Sequence, residues 1–177
     1  APQENLLYKT LSCEENLTFF AQIYGLRART CREQVLKTLA DVKLFDRAKS
    51  PVQTLSGGMQ RRLNMAVALV HQPKLVILDE PTTGLDIEAR YEIWELIKQL
   101  KNQGITILLT THLLDEAERL CDKIGILKNG QILAEGNLNQ LRQYIPADEV
   151  VTIKTPNEEK AITLAQEYGF TPRRYGS

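Results

Sequence analysis

Four apolar residues followed at once by two acids, Leu75-Val76-Ile77-Leu78-Asp79-Glu80, with Pro81 next, constrain this chain more than any other stretch. The run reads as a short buried strand that delivers both carboxylates to the carboxyl edge of a sheet, where ligands of open α/β folds bind. Upstream, Leu55-Ser56-Gly57-Gly58-Met59-Gln60 places a hydroxyl and two glycines ahead of an amphipathic run. In that run, Met59 to His71, the apolar set Met59, Leu63, Ala66, Val67 and Val70 has helical period, with Gln60, Arg61, Arg62 and Asn64 expected on the wet side. Ser56 is placed to cap this helix, leaving its first N–H groups bare beside Gly57 and Gly58 as an anion site.

The remaining chain supplies the frame. Ser12 and Glu15 form an S-x-x-E box ahead of Leu17, Phe20, Ala21 and Tyr24, and Gly25 stops that helix. A second box, Thr30 with Glu33, is expected to start a helix carrying Val35, Leu36 and Leu39. The first fifty-odd residues therefore read as helical, without a sheet. Pro73 is expected to end the helix behind Ser56. Asp86 is placed to cap a helix from Ile87 to Asn102 that buries Ile93, Trp94, Ile97 and Leu100, with Gly104 as its stop. Ile105 to Thr110 is β-branched and apolar, a second buried parallel strand, ending in Thr111-His112. A helix from Leu114 to Cys121 follows. Ile124 to Leu127 and Gln131 to Glu135 flank Asn129-Gly130, a strong hairpin signal, and Leu138 to Tyr144 reads as a closing helix. After Pro146 the pattern restarts: Val150 to Thr155 as a strand, Glu158 to Tyr168 as a helix, Gly169 as its stop.

Composition excludes several classes. With 43% hydrophobic and 25% charged residues the chain is globular, and 22 basic against 22 acidic side chains leave no net field for nucleic acid or an anionic membrane. The apolar runs fall far short of the roughly 20 residues of a spanning helix, so direct membrane insertion is not expected. Cys13, Cys31 and Cys121, odd in number and without C-x-x-C spacing, read as reduced cytosolic thiols. Ala1-Pro2-Gln3-Glu4 has no basic start and no initiating methionine, so the chain is expected to be part of something longer.

The order of Leu55 to Gln60, Leu75 to Glu80, Pro81-Thr82-Thr83-Gly84-Leu85-Asp86 and then His112 resembles the nucleotide-binding subunit of an ABC transporter. The resemblance implies an α/β, P-loop NTPase-like parallel sheet with a helical subdomain, with the N-terminal part that includes the P-loop strand absent. It implies a partial ATPase domain over residues 1–146, divided into a glutamine loop and helical subdomain (1–54) and the part holding the signature, Walker B strand, D-loop and switch histidine (55–146). Residues 147–177 then look like the start of an accessory C-terminal domain. By the same resemblance the ligands are ATP and Mg2+. Asp79 would hold the metal through water, and Gln3, at the place of the glutamine loop, would touch the metal and the attacking water. Glu80 would polarise that water and His112 would contact the γ-phosphate. Ser56, Gly57, Gly58 and Gln60 would contact ATP held by the opposite subunit, and Asp86 would shape the site across a dimer interface. The implied partners are a second ATPase subunit and transmembrane permease subunits, which would hold the protein on the cytoplasmic face of the membrane.

A P-loop enzyme also needs G-x-x-x-x-G-K-[ST], and no Gly-Lys pair occurs in this sequence. The chain alone is accordingly expected to be inactive. Leu55 to Leu63 and Thr110-Thr111-His112-Leu113-Leu114-Asp115-Glu116-Ala117-Glu118 resemble the drug-resistance exporter branch, with Met59 displacing the usual glutamine to position 60. Two other readings compete: a soluble ABC ATPase acting on ribosomes or DNA, and a regulatory relic without a P-loop. The neutral charge and the absence of a heptad run weigh against the first of these.

Overall fold

The computed structural model describes residues 6–143, 155–156 and 158–171. They fall in two compact units, divided between Leu141 and Arg142.

The first unit opens with helix α1 (Cys13–Ile23). Ser12 caps it as expected: its Oγ accepts the Glu15 N–H at 3.2 Å while Glu15 Oε2 accepts the Ser12 N–H at 2.7 Å. Gly25 ends the turn at φ +85°, a value that favours glycine. Helix α2 (Ala28–Asp41) starts earlier than the Thr30–Glu33 box predicts, with Arg27 at the N-cap and no side-chain cap. Leu26 is the reason: its N–H bonds back to Ala21 O and its side chain packs against the core, so the chain re-enters helix directly after it. Cys31, Val35, Leu39 and Val42 then line one buried face. Two short 3-10 turns (Phe45–Arg47 and Val52–Thr54) lead back past α1, where Ser12 and Pro51 form an isolated bridge.

Helix α3 (Gly57–Leu69) runs through the middle of the unit, packed by α1 and α2 and by the helix after the acidic strand. Nearly every side is therefore covered. Leu63, Met65, Ala66 and Val70 are at most 1% exposed, and, against the sequence expectation of a wet side, Arg62 and Asn64 are buried as well. The Arg62 guanidinium meets Val42 O at 3.4 Å and the part-exposed Glu92 carboxylate at 3.5 Å. The helix stops at Leu69, ahead of Pro73, and Gln72 turns at φ +56°.

Strand β1 (Leu75–Asp79) pairs in parallel with β2 (Thr106–Thr110), from Leu75 opposite Thr106 to Asp79 opposite Thr110. Between them lies α4 (Ile87–Asn102), burying Ile93, Trp94, Ile97 and Leu100 as the period predicts. The strands are half-buried, not fully buried as their apolar content implies. Val76 and Leu78 face the core, whereas Leu75 and Ile77 are each 53% exposed and Leu108 is 55% exposed. Helices cover one face of this ribbon; among the described residues nothing covers the other.

After β2 come α5 (Leu114–Leu120) and an antiparallel hairpin, β3 (Ile124–Lys128) and β4 (Gln131–Gly136), turning at Asn129 (φ +52°) and Gly130 (φ +76°). The hairpin forms its own sheet, separate from β1–β2. Helix α6 (Leu138–Arg142) follows. In the second unit, α7 (Glu158–Glu167) is stopped by Gly169 at φ +79°. Most of the strand expected over Val150 to Thr155 lies outside the described residues. No described helix is long and apolar enough to cross a membrane.

Candidate functional site

The residues singled out in the sequence gather in two places. The first is the N-terminal end of α3. Ser56 Oγ accepts the Met59 N–H at 3.2 Å, and α4 starts beside it with Asp86 Oδ1 accepting the Ala89 N–H at 2.7 Å. Both capping expectations hold. Ser56, Gly57, Gly58, Leu85, Asp86 and Ala89 help to line a cleft of 310 Å³ where the positive ends of the two helices meet. Gly57 opens onto free space; Gly58 is buried against α4. The Gln60 amide is folded back onto Leu55 O at 3.0 Å.

The second place is the carboxyl edge of β1 and β2. Asp79 is exposed there and accepts a hydrogen bond on Oδ1 from the Thr110 hydroxyl. Glu80 follows in a left-handed turn at φ +42°. Its N–H is shared between Thr110 O at 3.0 Å and Thr110 Oγ1 at 3.2 Å. Its carboxylate accepts from Thr83 Oγ1 at 2.8 Å and from His112 Nδ1 at 3.2 Å. The Thr83 hydroxyl first, and then His112, hold the Glu80 carboxyl below the ordinary glutamate range, against the raising effect of desolvation and of Asp79. Glu80 is thus kept as an anion with acceptor capacity, the state that polarising a water requires. Gln3 lies outside the described residues.

The donors at this edge decide which metal ion would fit. Among the described residues no group of three or more His, Cys, Asp or Glu side chains could cage a metal. Mg2+ does not require such a cage, because it keeps several waters and takes one or two carboxylates plus substrate phosphates. The exposed Asp79 at a strand end fits this role.

Sequence reasoning missed the residues that support these groups. Arg61 places its guanidinium against the carbonyls of Asp79, Glu80 and Pro81. Burial draws its pKa below the usual arginine value, while Asp79 and Glu116 oppose that shift. Glu116, 1% exposed, accepts from both Thr82 Oγ1 and Trp94 Nε1 at 2.9 Å, tying α5 to the loop after Glu80. Thr110 joins the list. None of these has a local sequence signal.

The family model described as ABC transporter matches residues 1–83. The linearmycin resistance ATP-binding protein LnrL of Bacillus subtilis is 40% identical over 164 residues, covering 93% of this chain and 53% of that protein. This chain belongs to the ABC transporter ATP-binding family. The Nod factor export ATP-binding protein I of Rhizobium sp. is likewise 40% identical over 167 residues, with 94% of this chain and 55% of that protein covered. The chain thus spans about half the length of these relatives. Among solved structures, cbiO1 from Clostridium perfringens, part of the transporter complex cbiONQ, superposes with a TM-score of 0.71 at 29% identity, covering 92% of this chain and 59% of that one. A dimeric ATP-binding cassette in a post-hydrolysis state with ADP and Pi gives 0.65 at 29% identity over 77% of this chain and 61% of that one. The α/β architecture and parallel strand pair of this ABC ATPase segment accord with the P-loop NTPase fold of these neighbours.

Proposed function

We propose that this chain is the signature and Walker B part of an ATPase subunit that powers a membrane exporter, working as a dimer with ATP held between the P-loop of one subunit and Ser56, Gly57 and Gly58 of the other. The observation that carries the reading is the division of the site. The capped helix ends around Ser56 and Asp86 line one cleft, with Arg62, Glu88 and Glu92 also on its wall, and Asp79, Glu80 and His112 form a separate cluster at the strand ends. Two such half-sites on one chain are what a sandwich dimer needs. In this reading Asp79 holds Mg2+ with Gln3, Glu80 polarises the attacking water and His112 meets the γ-phosphate. Mg2+ would supply charge neutralisation on the phosphates as they separate.

The exporter assignment draws on relatives named for linearmycin resistance and Nod factor export. Permease subunits would then dock near residues 3–11, where the exposed Leu6 and Tyr8 lie, and keep the protein on the cytoplasmic face of the membrane without insertion of its own. Residues 147–177 are read as the beginning of an accessory domain. Residues 1–177 alone, with no Gly-Lys phosphate loop, would bind ATP weakly and turn over none.

The test is Glu80→Gln in the full-length protein, assayed for phosphate release and for nucleotide-dependent dimers. The reading expects turnover to vanish while ATP-bound dimers persist, because the amide still fits the pocket and loses only the charge that polarises water. Wild-type turnover in that variant would refute the assignment.

A further inference from the structure

Between the two clusters runs one side chain. Arg61 sits on α3 downstream of the Ser56 cap and reaches across to the end of β1. Its Nε donates to Pro81 O at 2.7 Å, and Nη2 donates to Asp79 O at 3.0 Å and Glu80 O at 2.8 Å. Three consecutive carbonyls converge on one guanidinium.

Carbonyls along an extended strand point alternately to either side, so this convergence needs a break in the strand. Glu80 provides it. A non-glycine residue at φ +42° is uncommon, and the residue before a proline is ordinarily pushed toward extended backbone by the proline ring. Glu80 carries both handicaps, at the position whose carboxylate the proposed reaction depends on. Such a conformation persists only where its surroundings over-determine it. On one side Thr110 holds the Glu80 N–H; on the other the Glu80 carbonyl accepts from Thr83 N–H at 3.3 Å and from Arg61. The Thr83 bond is internal to the turn, and Thr110 belongs to the neighbouring strand. Arg61 is the restraint that arrives from α3.

The chemistry selects arginine. A guanidinium carries several N–H donors in one rigid plane, so Nε and Nη2 meet carbonyls of successive residues at once; a lysine ammonium is a point donor on a flexible stem. We propose that Arg61 is a positioning residue: it holds the left-handed turn at Glu80, and with it the aim of the carboxylate, and fastens that turn to the helix that carries Ser56, Gly57 and Gly58. The functional half of this inference rests on the reading of Glu80 as the group that polarises water.

Two variants of the full-length protein test it, Arg61→Met, which keeps the apolar stem, and Arg61→Lys, which keeps the charge. Amide hydrogen exchange gives a readout independent of activity. Both variants should exchange the Glu80 and Thr83 amides at least about tenfold faster, with the interiors of α3 and α4 unchanged. In ATP hydrolysis both should lose on the order of 100-fold in kcat, the cost of a misplaced catalytic group, with KM for ATP moved less than about twofold. Unchanged exchange at Glu80 and Thr83 overturns the clamp. Accelerated exchange with normal kcat overturns the positioning role, and full activity in Arg61→Lys overturns the need for a planar fork. If the unmodified protein shows no hydrolysis, the reading of Glu80 fails by itself, and the exchange measurement still decides whether Arg61 holds the turn.

Discussion

Gly58 and Ala89 bring α3 and α4 so close that a Cβ on Gly58 would lie 2.8 Å from the Ala89 Cβ. The second glycine of the pair is therefore a packing residue, besides its place in the proposed anion site. Its φ is not positive, so the demand is for space alone. Gly58→Ala should force the two helices apart and cost about 1–3 kcal/mol, the usual cost of overpacking. Ala89→Gly added to it should recover part of the loss in denaturant unfolding. Independent, additive effects of the two substitutions would show that the helices do not meet as described.

In the proposed reading, Glu80 sets the acid limit of hydrolysis. Hydrogen bonds from Thr83 and His112 depress its pKa, so the reactive anion persists below the ordinary glutamate range and the rate should fall only as pH drops through that lowered value. Thr83→Ala removes the largest lowering influence. The acid limb of kcat/KM in the full-length protein should then move to higher pH, toward the ordinary glutamate value. A limb that stays in place, or moves to lower pH, would contradict the Thr83 bond.

Glu116 is a buried carboxylate whose Oε1 serves two donors, Thr82 and Trp94, while Oε2 has no partner among the described residues. Glu116→Ala should strand both donors and leave a cavity, at a cost on the order of 2–5 kcal/mol. Glu116→Gln keeps an acceptor oxygen at the same place and should cost less. Trp94 is the one tryptophan of the 177 residues, so its fluorescence reports the loss of the indole bond directly. Equal destabilisation by both variants would argue that shape, not hydrogen bonding, holds this corner.

What was legible in the sequence was local. The caps at Ser12, Ser56 and Asp86 announce themselves through a side chain that bonds three residues onward, and the Asn129-Gly130 turn through its need for positive φ. The acids at the end of β1 were legible because an apolar run ends on them. Arg61, Thr110 and Glu116 were not, because each acts on groups 18 to 34 residues away, and three carbonyls leave no mark in a sequence. Arg62 and Asn64 fall on the expected wet side because a helix pattern shows which face is apolar without showing that a helix is surrounded. The exposure of Leu75, Ile77 and Leu108 reverses that error: apolar residues declare that they want cover, and the described residues provide it on one face of the ribbon.

The same ribbon makes the last prediction. Leu75, Ile77 and Leu108 lie on the uncovered face of a sheet that, among the described residues, consists of β1 and β2. Such an exposed apolar face is a template for association. Expressed alone, residues 1–177 should therefore self-associate with rising concentration, unfold over a broad range and bind ATP weakly. Replacing Ile77 and Leu108 by threonine keeps the β-propensity of both strands and removes apolar surface from the uncovered face. In sedimentation velocity that double variant should shift toward monomer. A wild-type chain that sediments as a monomer, unfolds sharply and binds ATP at micromolar concentration would show that this face is not the liability its exposure implies.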